Sequence, residues 1–323
     1  MKDSHLRSRF IKPSMDPRKL QHFLAVYDLR HFGRAATDNG VTQQAISKSV
    51  KKLEEQLGVE LFERGPYGPA PTIFAHSLAR RAKVILSEAR LAAAELSALR
   101  GVEDGYVRAG IGWSFVSRIA PQTLLRYRRR RPNIKVSLST GSSDILFERL
   151  LNGEVEFVSS CPLPNFEIDP LLESQPLFHD ADLIVMRHDH PLAGRSDVTL
   201  ADLSQQTWAT SGTLGGRWRK ICSTFLAAGV EPPTNTIDMD SVGIAKAMIA
   251  QSDCIALLSS ELVINETMAG QFHTLHRTEF PSERIGMLVT RRSSALQPAA
   301  QALIHDLLEV TDSLRPGIAK AAA

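Results

Sequence analysis

Residues 20–64, LQHFLAVYDLRHFGRAATDNGVTQQAISKSVKKLEEQLGVELFER, carry the clearest structural pattern in this chain of 323 residues. Apolar residues at helical spacing predict a first helix over residues 17–28, with Asp16 as its N-cap. Residues 32–38 predict a short second helix, which ends where Asn39-Gly40 supplies a left-handed residue. Thr42 caps a predicted third helix, whose apolar stripe ends at Gly58. The stretch therefore predicts three short helices around a small core.

The third predicted helix has a polar face opposite its apolar stripe. Two short helices joined by a Gly-containing turn, the second with such a face, are typical of a helix-turn-helix. Ala35, Ala36 and Ala45 are small enough for the neighbouring helices to approach closely. Small helical bundles also have polar outer faces, so the pattern leaves this structural alternative open. The polar face contains Gln43, Gln44, Ser47, Lys48 and Lys51.

A small wing is predicted beside the third helix. Val59, Leu61 and Phe62 alternate in the manner of a strand, and a loop rich in Gly and Pro follows them. Arg64, at the base of this wing, is well placed for a phosphate.

Residues 72–99 contain neither Pro nor Gly, which predicts a helix of about seven turns. Apolar residues recur along it at alternating steps of three and four, the seam that favours a two-stranded coiled coil. The alternative is that this seam packs on the body of the same chain. The seam consists of Ala75, Leu78, Ala82, Ile85, Ala89, Ala92, Leu96 and Leu99.

After a hinge at Gly101 to Gly105, predicted strands and helices alternate, as in parallel sheets with crossover helices. The length of this region favours two α/β lobes over one continuous sheet. The predicted strands are 106–111, 134–138, 154–158, 183–187, 207–209, 236–239 and 254–258, and the predicted helices are 119–131, 145–151, 217–228, 241–250 and 296–314.

Composition limits the function classes. Residues 1–100 hold 17 Lys and Arg against 10 Asp and Glu, whereas the remainder holds 21 against 25. The basic charge is therefore confined to the helical N-terminal third, as expected if this part approaches phosphates. No apolar run suggests a membrane span or a secretory signal, which favours a cytoplasmic protein without membrane contact. Cys161, Cys222 and Cys254 have no disulfide-like spacing and indicate buried thiols.

Residues 20–64 closely resemble the DNA-binding domain of LysR-type transcriptional regulators. The matching motifs are Phe-Gly-Arg-Ala-Ala in the second helix, Thr-Gln-x-Ala-Ile-Ser at the third, and Leu-Glu-x-x-Leu-Gly-Val-x-Leu-Phe-Glu-Arg before the wing. A looser similarity extends the resemblance over residues 16 to about 312 and includes Asp189-His190-Pro191-Leu192. The chain departs from the family at Gln44, where proline is common, in the wing at 65–71, and at Glu156-Phe157.

The predicted fold class is α+β and multidomain, with an N-terminal winged helix-turn-helix, a long linker helix and a two-lobed α/β effector domain similar to periplasmic binding proteins. Met15 aligns with the usual family start, so residues 1–15 are expected to be an extension. The predicted domains are 16–73 for DNA binding, 74–104 for the linker and hinge, and 105–316 for regulation, followed by a tail at 317–323. Lobe I comprises about 105–175 and 282–316, and lobe II about 176–281.

The resemblance implies double-stranded DNA as a partner, bound through the amino-terminal end of the third helix in the major groove. Gln43 and Gln44 are the candidates for reading bases, since Gln pairs in bidentate fashion with adenine, and Ser47 lies one turn further on. Arg34, Lys48, Lys51 and Arg64 are assigned to phosphates, and Thr42 joins the DNA-binding set. The linker helix supplies a homodimer, and the family resemblance implies tetramers, with RNA polymerase as a further partner.

A small-molecule effector is expected between the two lobes, at the carboxyl ends of their strands. The loops there are rich in hydroxyls suited to a small polar or carboxylated ligand, whereas Trp113 suits an apolar or aromatic part. The helix start at Thr213 to Gly216 also favours an anion. The hydroxyl candidates are Ser114, Thr140, Ser142, Ser160, Thr210 and Ser211.

Three other functions compete with this prediction. A solute-binding transport receptor also has two α/β lobes, but the N-terminal DNA module and the lack of an export signal count against it. Catalysis is not expected, because neither a G-x-S-x-G elbow nor a P-loop occurs, and His188 and His190 lack further metal ligands. No cofactor or metal is therefore predicted. A redox sensor of the same family, using Cys161 near the effector site, stays open.

Overall fold

The computed structural model describes residues 15–65, 68–99, 105–164, 166–210, 216–280, 283–292 and 294–321. It divides into two compact units. The amino-terminal unit comprises Met1–Leu96 and Leu151–Glu154, and the carboxy-terminal unit comprises Ser97–Leu150 and Val155–Ala323.

The amino-terminal unit contains the three predicted short helices, a two-stranded sheet and the long helix. Its elements are α1 (Pro17–Leu29), α2 (Phe32–Asp38), α3 (Gln43–Leu57), β1 (Phe62–Gly65), β2 (Gly68–Pro71) and α4 (Ile73–Leu99).

The predicted helix boundaries of this unit are confirmed, together with the residues that set them. Asp16 accepts a hydrogen bond from the backbone of Arg18, and Thr42 accepts one from Ala45, so that both act as N-caps. Gly58 ends α3 with a left-handed backbone at φ 70°, a conformation that glycine adopts at no steric cost. Local chemistry therefore fixes where α3 begins and ends.

The core of this unit fixes which face of α3 points outward. Ile46, Val50 and Leu53 are buried, and the first two pack with Ala35 and Ala36 of α2. The prediction that Ala45 also serves close helix packing is wrong, because Ala45 is exposed on the far side of α3.

The wing is a β-hairpin rather than the predicted strand followed by a loop. β1 pairs antiparallel with β2, with Glu63 opposite Ala70. The Glu54 carboxylate accepts hydrogen bonds from the backbone N–H groups of Leu61 and Phe62, at 2.8 and 3.2 Å, and so ties the start of the hairpin to α3. The Gly and Pro residues that predicted a loop here instead form the second strand.

The predicted seam of α4 divides between two environments. Ala75 and Ala82 are fully buried in the amino-terminal unit's core with Leu20 and Phe23, so the prediction that they pair with a second chain is wrong. These two alanines pack on the body of the same chain, which was the alternative interpretation of the seam. Further along α4, the four seam residues Ile85, Ala89, Ala92 and Leu96 are exposed. The side chain of Leu99 lies outside the described part of the chain.

The carboxy-terminal unit alternates strands and helices, as predicted. Its elements are β3 (Tyr106–Gly112), a 3₁₀ helix (Trp113–Phe115), α5 (Ile119–Arg130), β4 (Lys135–Gly141), α6 (Ser143–Leu151), β5 (Phe157–Ser160), β6 (Leu172–Arg187), α7 (Leu200–Ser204), β7 (Thr207–Thr210), α8 (Gly216–Ala227), β8 (Thr236–Asp238), α9 (Val242–Gln251), β9 (Cys254–Ser259), α10 (Ser260–Met268), β10 (Phe272–Leu275), β11 (Glu283–Arg291) and α11 (Pro298–Ala321).

Two lobes are present, but their strands form a single hydrogen-bonded path in the order β4-β3-β5-β11-β6-β9-β7-β8. The 16-residue strand β6 joins them: its first half pairs with β11, and its second half pairs with β9 and β10. The sequence favoured two lobes over one continuous sheet. The structure corrects this prediction, because the two lobes share strand β6. The long strand was missed because residues 172–182, of which 173–176 are all exposed, lack the continuous apolar run that marks 183–187.

Each lobe has its own core. Val107, Phe115, Tyr127 and Phe157 are among the buried residues of lobe I, with α11 packed against them. The largest buried side chain of lobe II is Trp208, which contacts Phe225 and Phe280 edge-on or tilted, at centroid distances of 6.0 and 6.3 Å. Two separate cores leave room between them for a cavity.

Candidate functional site

The exposed face of α3 brings together most of the residues predicted to contact DNA. Ile46 and Val50 point into the core, so the helical period turns the intervening polar side chains toward solvent. The residues exposed on or beside this face are Arg34, Thr42, Gln43, Gln44, Ser47, Lys48 and Lys51.

Two caps orient the elements beneath this face. The Thr42 hydroxyl accepts a hydrogen bond from Ala45 N at 3.2 Å and therefore holds the start of α3. His31, which the sequence analysis did not single out, caps α2: its Nδ1 accepts from the backbone N–H groups of Gly33 and Arg34, at 3.0 and 3.2 Å. Arg34 thus extends from a fixed helix end. Arg64 lies on β1 opposite Pro69, and its side chain lies outside the described part of the chain.

The carboxy-terminal unit contains a cavity of about 550 Å³ between its two lobes. This volume falls within the range of about 300–1,000 Å³ that small-molecule sites occupy. The loops that line it follow β3, β4, β5 and β7, the strand ends that the sequence analysis selected. Lobe II adds residues from α8, α9 and β9.

Close packing of two strands shapes one wall of the cavity. A Cβ atom at Gly112, the last residue of β3, would lie 2.4 Å from the Ser160 hydroxyl, so only glycine fits there. This close approach brings Trp113 and Ser114, which follow Gly112 in the 3₁₀ helix, beside Ser160 at the end of β5. Ser160 in turn hydrogen bonds to Ser143 of α6, with 2.7 Å between their hydroxyl oxygens.

The floor of the cavity is formed by Arg217 and Arg284, which pair with two buried aspartates outside the lining. The Arg284 guanidinium lies 3.3 Å from Asp180 and 2.8 Å from Asp182. Arg217 donates to Asp182 at 3.2 Å and to the carbonyl of Leu257 at 3.1 Å. Arg284 is 5% exposed, and both aspartates are 3% exposed or less. Each positive charge is thus matched by a carboxylate within hydrogen-bonding distance.

Further hydrogen bonds extend this network into both lobes. The Asp180 carboxylate accepts hydrogen bonds from the hydroxyls of Ser259 and Ser260, at 2.5 and 2.9 Å. Arg284 also donates to the carbonyl of Cys161, at 3.2 Å. The network therefore connects β6 and β11 with the end of β5 in lobe I and the end of β9 in lobe II.

Most of the predicted effector residues line the cavity. Trp113, Ser114, Ser142, Ser160 and Thr210 all do so. Thr140 does not line it: as the penultimate residue of β4, it is exposed at the sheet edge. The prediction for Ser211, and that of an anion at Thr213 to Gly216, fall at or next to residues 211–215, which lie outside the described residues.

The sequence analysis missed the charged floor and one aromatic wall. Arg217 and Trp218 line the cavity from the first turn of α8, directly after the predicted loop that ends at Gly216, whereas Arg284 comes from β11, distant in sequence from every predicted loop. Only the strand order places Arg284 there, since β11 lies between β5 and β6. A cluster of alternating Asp residues in β6, at 180 and 182, was the one local signal for this floor.

The cysteines are buried or partly buried, as predicted. Burial raises the pKa of the Cys161 thiol to about 12, with the nearby Asp180 carboxylate acting in the same direction. Burial also raises the pKa values of Cys222 and Cys254. Since the thiolate is the reactive form, the environment of Cys161 disfavours redox chemistry.

His190 is buried directly after the turn at residues 188–189. Its Nδ1 accepts from Leu192 N at 3.0 Å, and its Nε2 lies 3.3 Å from the carbonyl of Asp253. Burial lowers the pKa of His190. Among the described residues, no group of three or more His, Cys, Asp or Glu side chains is placed to hold a metal ion. Within the same residues, every helix is too short or too polar to cross a membrane.

Family comparisons match both parts of the chain. Residues 17–76 match the family described as bacterial regulatory helix-turn-helix protein, lysR family, and residues 100–312 match the LysR substrate binding domain.

Individual relatives extend over almost the whole chain. It is 30% identical to the transcriptional regulator GbpR of Azospirillum brasilense, covering 94% of this chain and 89% of that protein. It is also 30% identical to the SDS degradation transcriptional activation protein of a Pseudomonas species, with 94% and 99% covered. A solved structure of full-length CbnR in complex with its target DNA has a similar fold, with a TM-score of 0.60, 21% identity, and coverage of 92% and 100%.

Proposed function

Since the chain belongs to the LysR family of DNA-binding transcriptional regulators and carries a LysR substrate-binding domain, we propose that it reads its operator through the exposed face of α3. The observation that carries this proposal is the position of Gln43, Gln44 and Ser47 on one exposed face at the start of a firmly capped helix. In helix-turn-helix proteins the amino-terminal end of the motif's second helix, which is α3 here, enters the major groove. The solved CbnR structure, a protein of the same fold, is itself bound to target DNA.

The residues on this face have two roles in the proposal. Gln43 and Gln44 hydrogen bond to base edges, and Ser47 supplies a further donor or acceptor one turn along the helix. Arg34, Lys48, Lys51 and Arg64 neutralise phosphates and set the register of the protein on the duplex. Thr42 fixes the helix start and lies beside the nearest phosphate.

Selection from a random double-stranded DNA library tests this assignment. The full chain is expected to enrich two symmetric half-sites whose centres are a whole number of helical turns apart, since a dimer presents two copies of α3. Enrichment of no sequence over the starting library, under salt conditions that permit binding, would contradict it.

The proposed dimer forms through the exposed apolar residues of α4. Ile85 and Leu96 belong to the predicted heptad seam and are exposed, with Leu96 63% exposed, whereas Leu78 of the same seam packs partly on the amino-terminal core. Knobs-into-holes packing of this stripe against a second copy removes it from water. The proposal extends to tetramers made of two such dimers, to contact with RNA polymerase and to action in the cytoplasm.

Replacing Ile85 and Leu96 together by Glu tests the dimer. Sedimentation equilibrium is expected to show that the variant loses pairing through α4, because two charges would face their copies across the seam. Leu226→Glu, at an exposed leucine of α8, is the matched control and should sediment like the original chain. An Ile85→Glu/Leu96→Glu variant that pairs as tightly as the control would contradict this interface.

We further propose that the cavity between the lobes binds the effector and that binding changes DNA affinity. An effector shifts the regulator only by its differential affinity for two arrangements of the protein. The network from Asp180 through Arg284 to Cys161 and Ser259 contacts both lobes, so a ligand on this floor is placed to alter their arrangement.

A further inference from the structure

The charged side chains that line the cavity, taken together with the two aspartates that pair with its arginines, carry more negative than positive formal charge. Arg217 and Arg284, the two basic side chains in its lining, are paired with Asp180 and Asp182. Asp144 and Asp240 also line the cavity, and both are exposed at its rim. The arginines and all four aspartates together therefore carry a formal charge of −2.

Helix ends offset most of this charge. α6, α8 and α9 each begin at the cavity, where Ser143, Arg217 and Val242 line it. The amino-terminal end of a helix acts as roughly half a positive charge. Three such ends bring the cavity close to neutrality, so it lacks the excess positive charge that would hold a carboxylate. A ligand without net charge meets no electrostatic cost there.

Three hydroxyl protons of the lining are already used within the protein, which favours a ligand that donates hydrogen bonds to those oxygens. Ser259 donates its proton to Asp180 at 2.5 Å, and Thr210 donates to Asp238 at 3.2 Å. One proton of the Ser143–Ser160 pair is used between those two residues. Such oxygens present lone pairs to a ligand, and the rim carboxylates accept as well. A ligand carboxylate has only acceptors, whereas a ligand hydroxyl can donate to these groups.

Apolar side chains form the rest of the lining. Trp113, Phe166 and Trp218 contribute aromatic surface, and Ile221, Leu258 and Leu262 contribute aliphatic surface. This surface gains free energy by covering an apolar face of a ligand. Uncharged hydroxyls on one side and an apolar face on the other would match the two kinds of lining.

We infer that this cavity takes an uncharged molecule with hydroxyl groups and an apolar face, and that it discriminates against carboxylates. This inference rests on the proposed function of the cavity as the effector site. The sequence alone predicts a small effector that is either polar or carboxylated. The cavity favours the uncharged polar ligand over the carboxylate.

Two probes of one shape test the inference. 2-Naphthalenemethanol and 2-naphthoate share a ring system and differ in an alcohol or a carboxylate, and their dissociation constants from the full chain are measured by calorimetry or ligand-observed NMR. The alcohol is expected to bind at least about tenfold more tightly, because a carboxylate adds a like charge near Asp144 and Asp240. Equal binding, tighter binding of naphthoate, or binding of neither probe at millimolar concentration would overturn the inference.

Variants locate the binding and identify its cause. Ser142→Trp places a large ring in the cavity and is expected to abolish binding of the alcohol. Asp144→Asn/Asp240→Asn removes the rim charge from two exposed positions and is expected to strengthen naphthoate binding about tenfold. If that double variant leaves naphthoate binding unchanged, the charge explanation is overturned.

The same variants distinguish failure of the proposed ligand class from failure of the cavity as a ligand site. Tighter naphthoate binding that Ser142→Trp abolishes would contradict the ligand class while supporting the cavity as a ligand site. Probe binding that Ser142→Trp leaves unchanged would contradict the cavity itself. Circular dichroism and thermal unfolding of each variant verify that the fold is retained.

Discussion

The face of α3 and the floor of the cavity both carry polar side chains, but they relate to the fold in opposite ways. Gln43, Gln44 and Lys48 are exposed, and the core beneath them is complete without their side chains. Asp180 and Arg284 are buried and depend on each other for hydrogen bonds and charge. Substitutions on the exposed face of α3 can therefore change the DNA target without changing the fold. Substitutions in the cavity floor affect both ligand recognition and the stability of the fold.

The largest effect is expected from breaking the buried network. Asp180→Ala removes the acceptor for Arg284, Ser259 and Ser260 and leaves a buried guanidinium short of a partner. The free energy of unfolding, measured by urea denaturation, should fall by about 3–5 kcal/mol. Asp144→Ala, at the exposed rim, is the control and should change it by less than about 0.5 kcal/mol. Similar values for the two variants would remove the contrast between buried and exposed polar residues.

A smaller effect, on specificity alone, is expected at the start of α3. Gln43→Ala and Gln44→Ala should each reduce discrimination against a substituted operator base by about 1–3 kcal/mol, because each removes a bidentate pair. Unfolding of the variants should match that of the original chain. Binding titrations on selected and substituted sites measure the change. Retention of full discrimination by the double variant would remove both residues from base reading.

The lysines of the same face are expected to set the salt dependence of DNA binding rather than its sequence preference. Lys48→Ala and Lys51→Ala should weaken binding to all sequences about equally, each lowering the slope of log affinity against log salt by about 1. Lys220→Ala, at an exposed lysine of α8, should leave the slope unchanged. A change in sequence preference without a change in slope would indicate that these lysines contact bases rather than phosphates.

The smallest effect is expected at Cys161. With its pKa raised to about 12 by burial, the Cys161 thiol stays protonated at pH 7, so peroxide should leave DNA affinity unchanged. Cys161→Ser should behave like the original chain before and after peroxide. Peroxide-dependent DNA binding that Cys161→Ser abolishes would favour the redox-sensing alternative.

The same comparison explains what could be predicted from the sequence. The elements of α1 to α3 follow from local signals, such as the Asp16 and Thr42 caps and the stripe from Ile46 to Leu53, so their bounds were predicted closely. Ala75 and Ala82 were misassigned because a heptad stripe looks the same whether it packs on its own chain or on a second copy.

The cavity was only half predictable. Its hydroxyl-rich loops follow strands that have local apolar runs, so Ser114, Ser142 and Ser160 were found. Arg284 was not found, because its position depends on the order of strands β11, β6 and β9 in space, and Arg217 was passed over although it directly follows the predicted loop after β7. The first half of β6 was missed for a related reason: its partner β11 lies more than 100 residues away.

A photocrosslinking residue placed on α3 tests whether this helix contacts the bases of the operator. p-Benzoylphenylalanine in place of Ser47, with the full chain bound to its selected DNA, is predicted to crosslink to bases within each half-site. The same residue in place of Glu231, which is exposed in the carboxy-terminal unit, is the control and should give no such crosslink. A Ser47 probe that leaves the DNA bound yet crosslinks no more than the control would contradict the central claim that this face of α3 reads the operator.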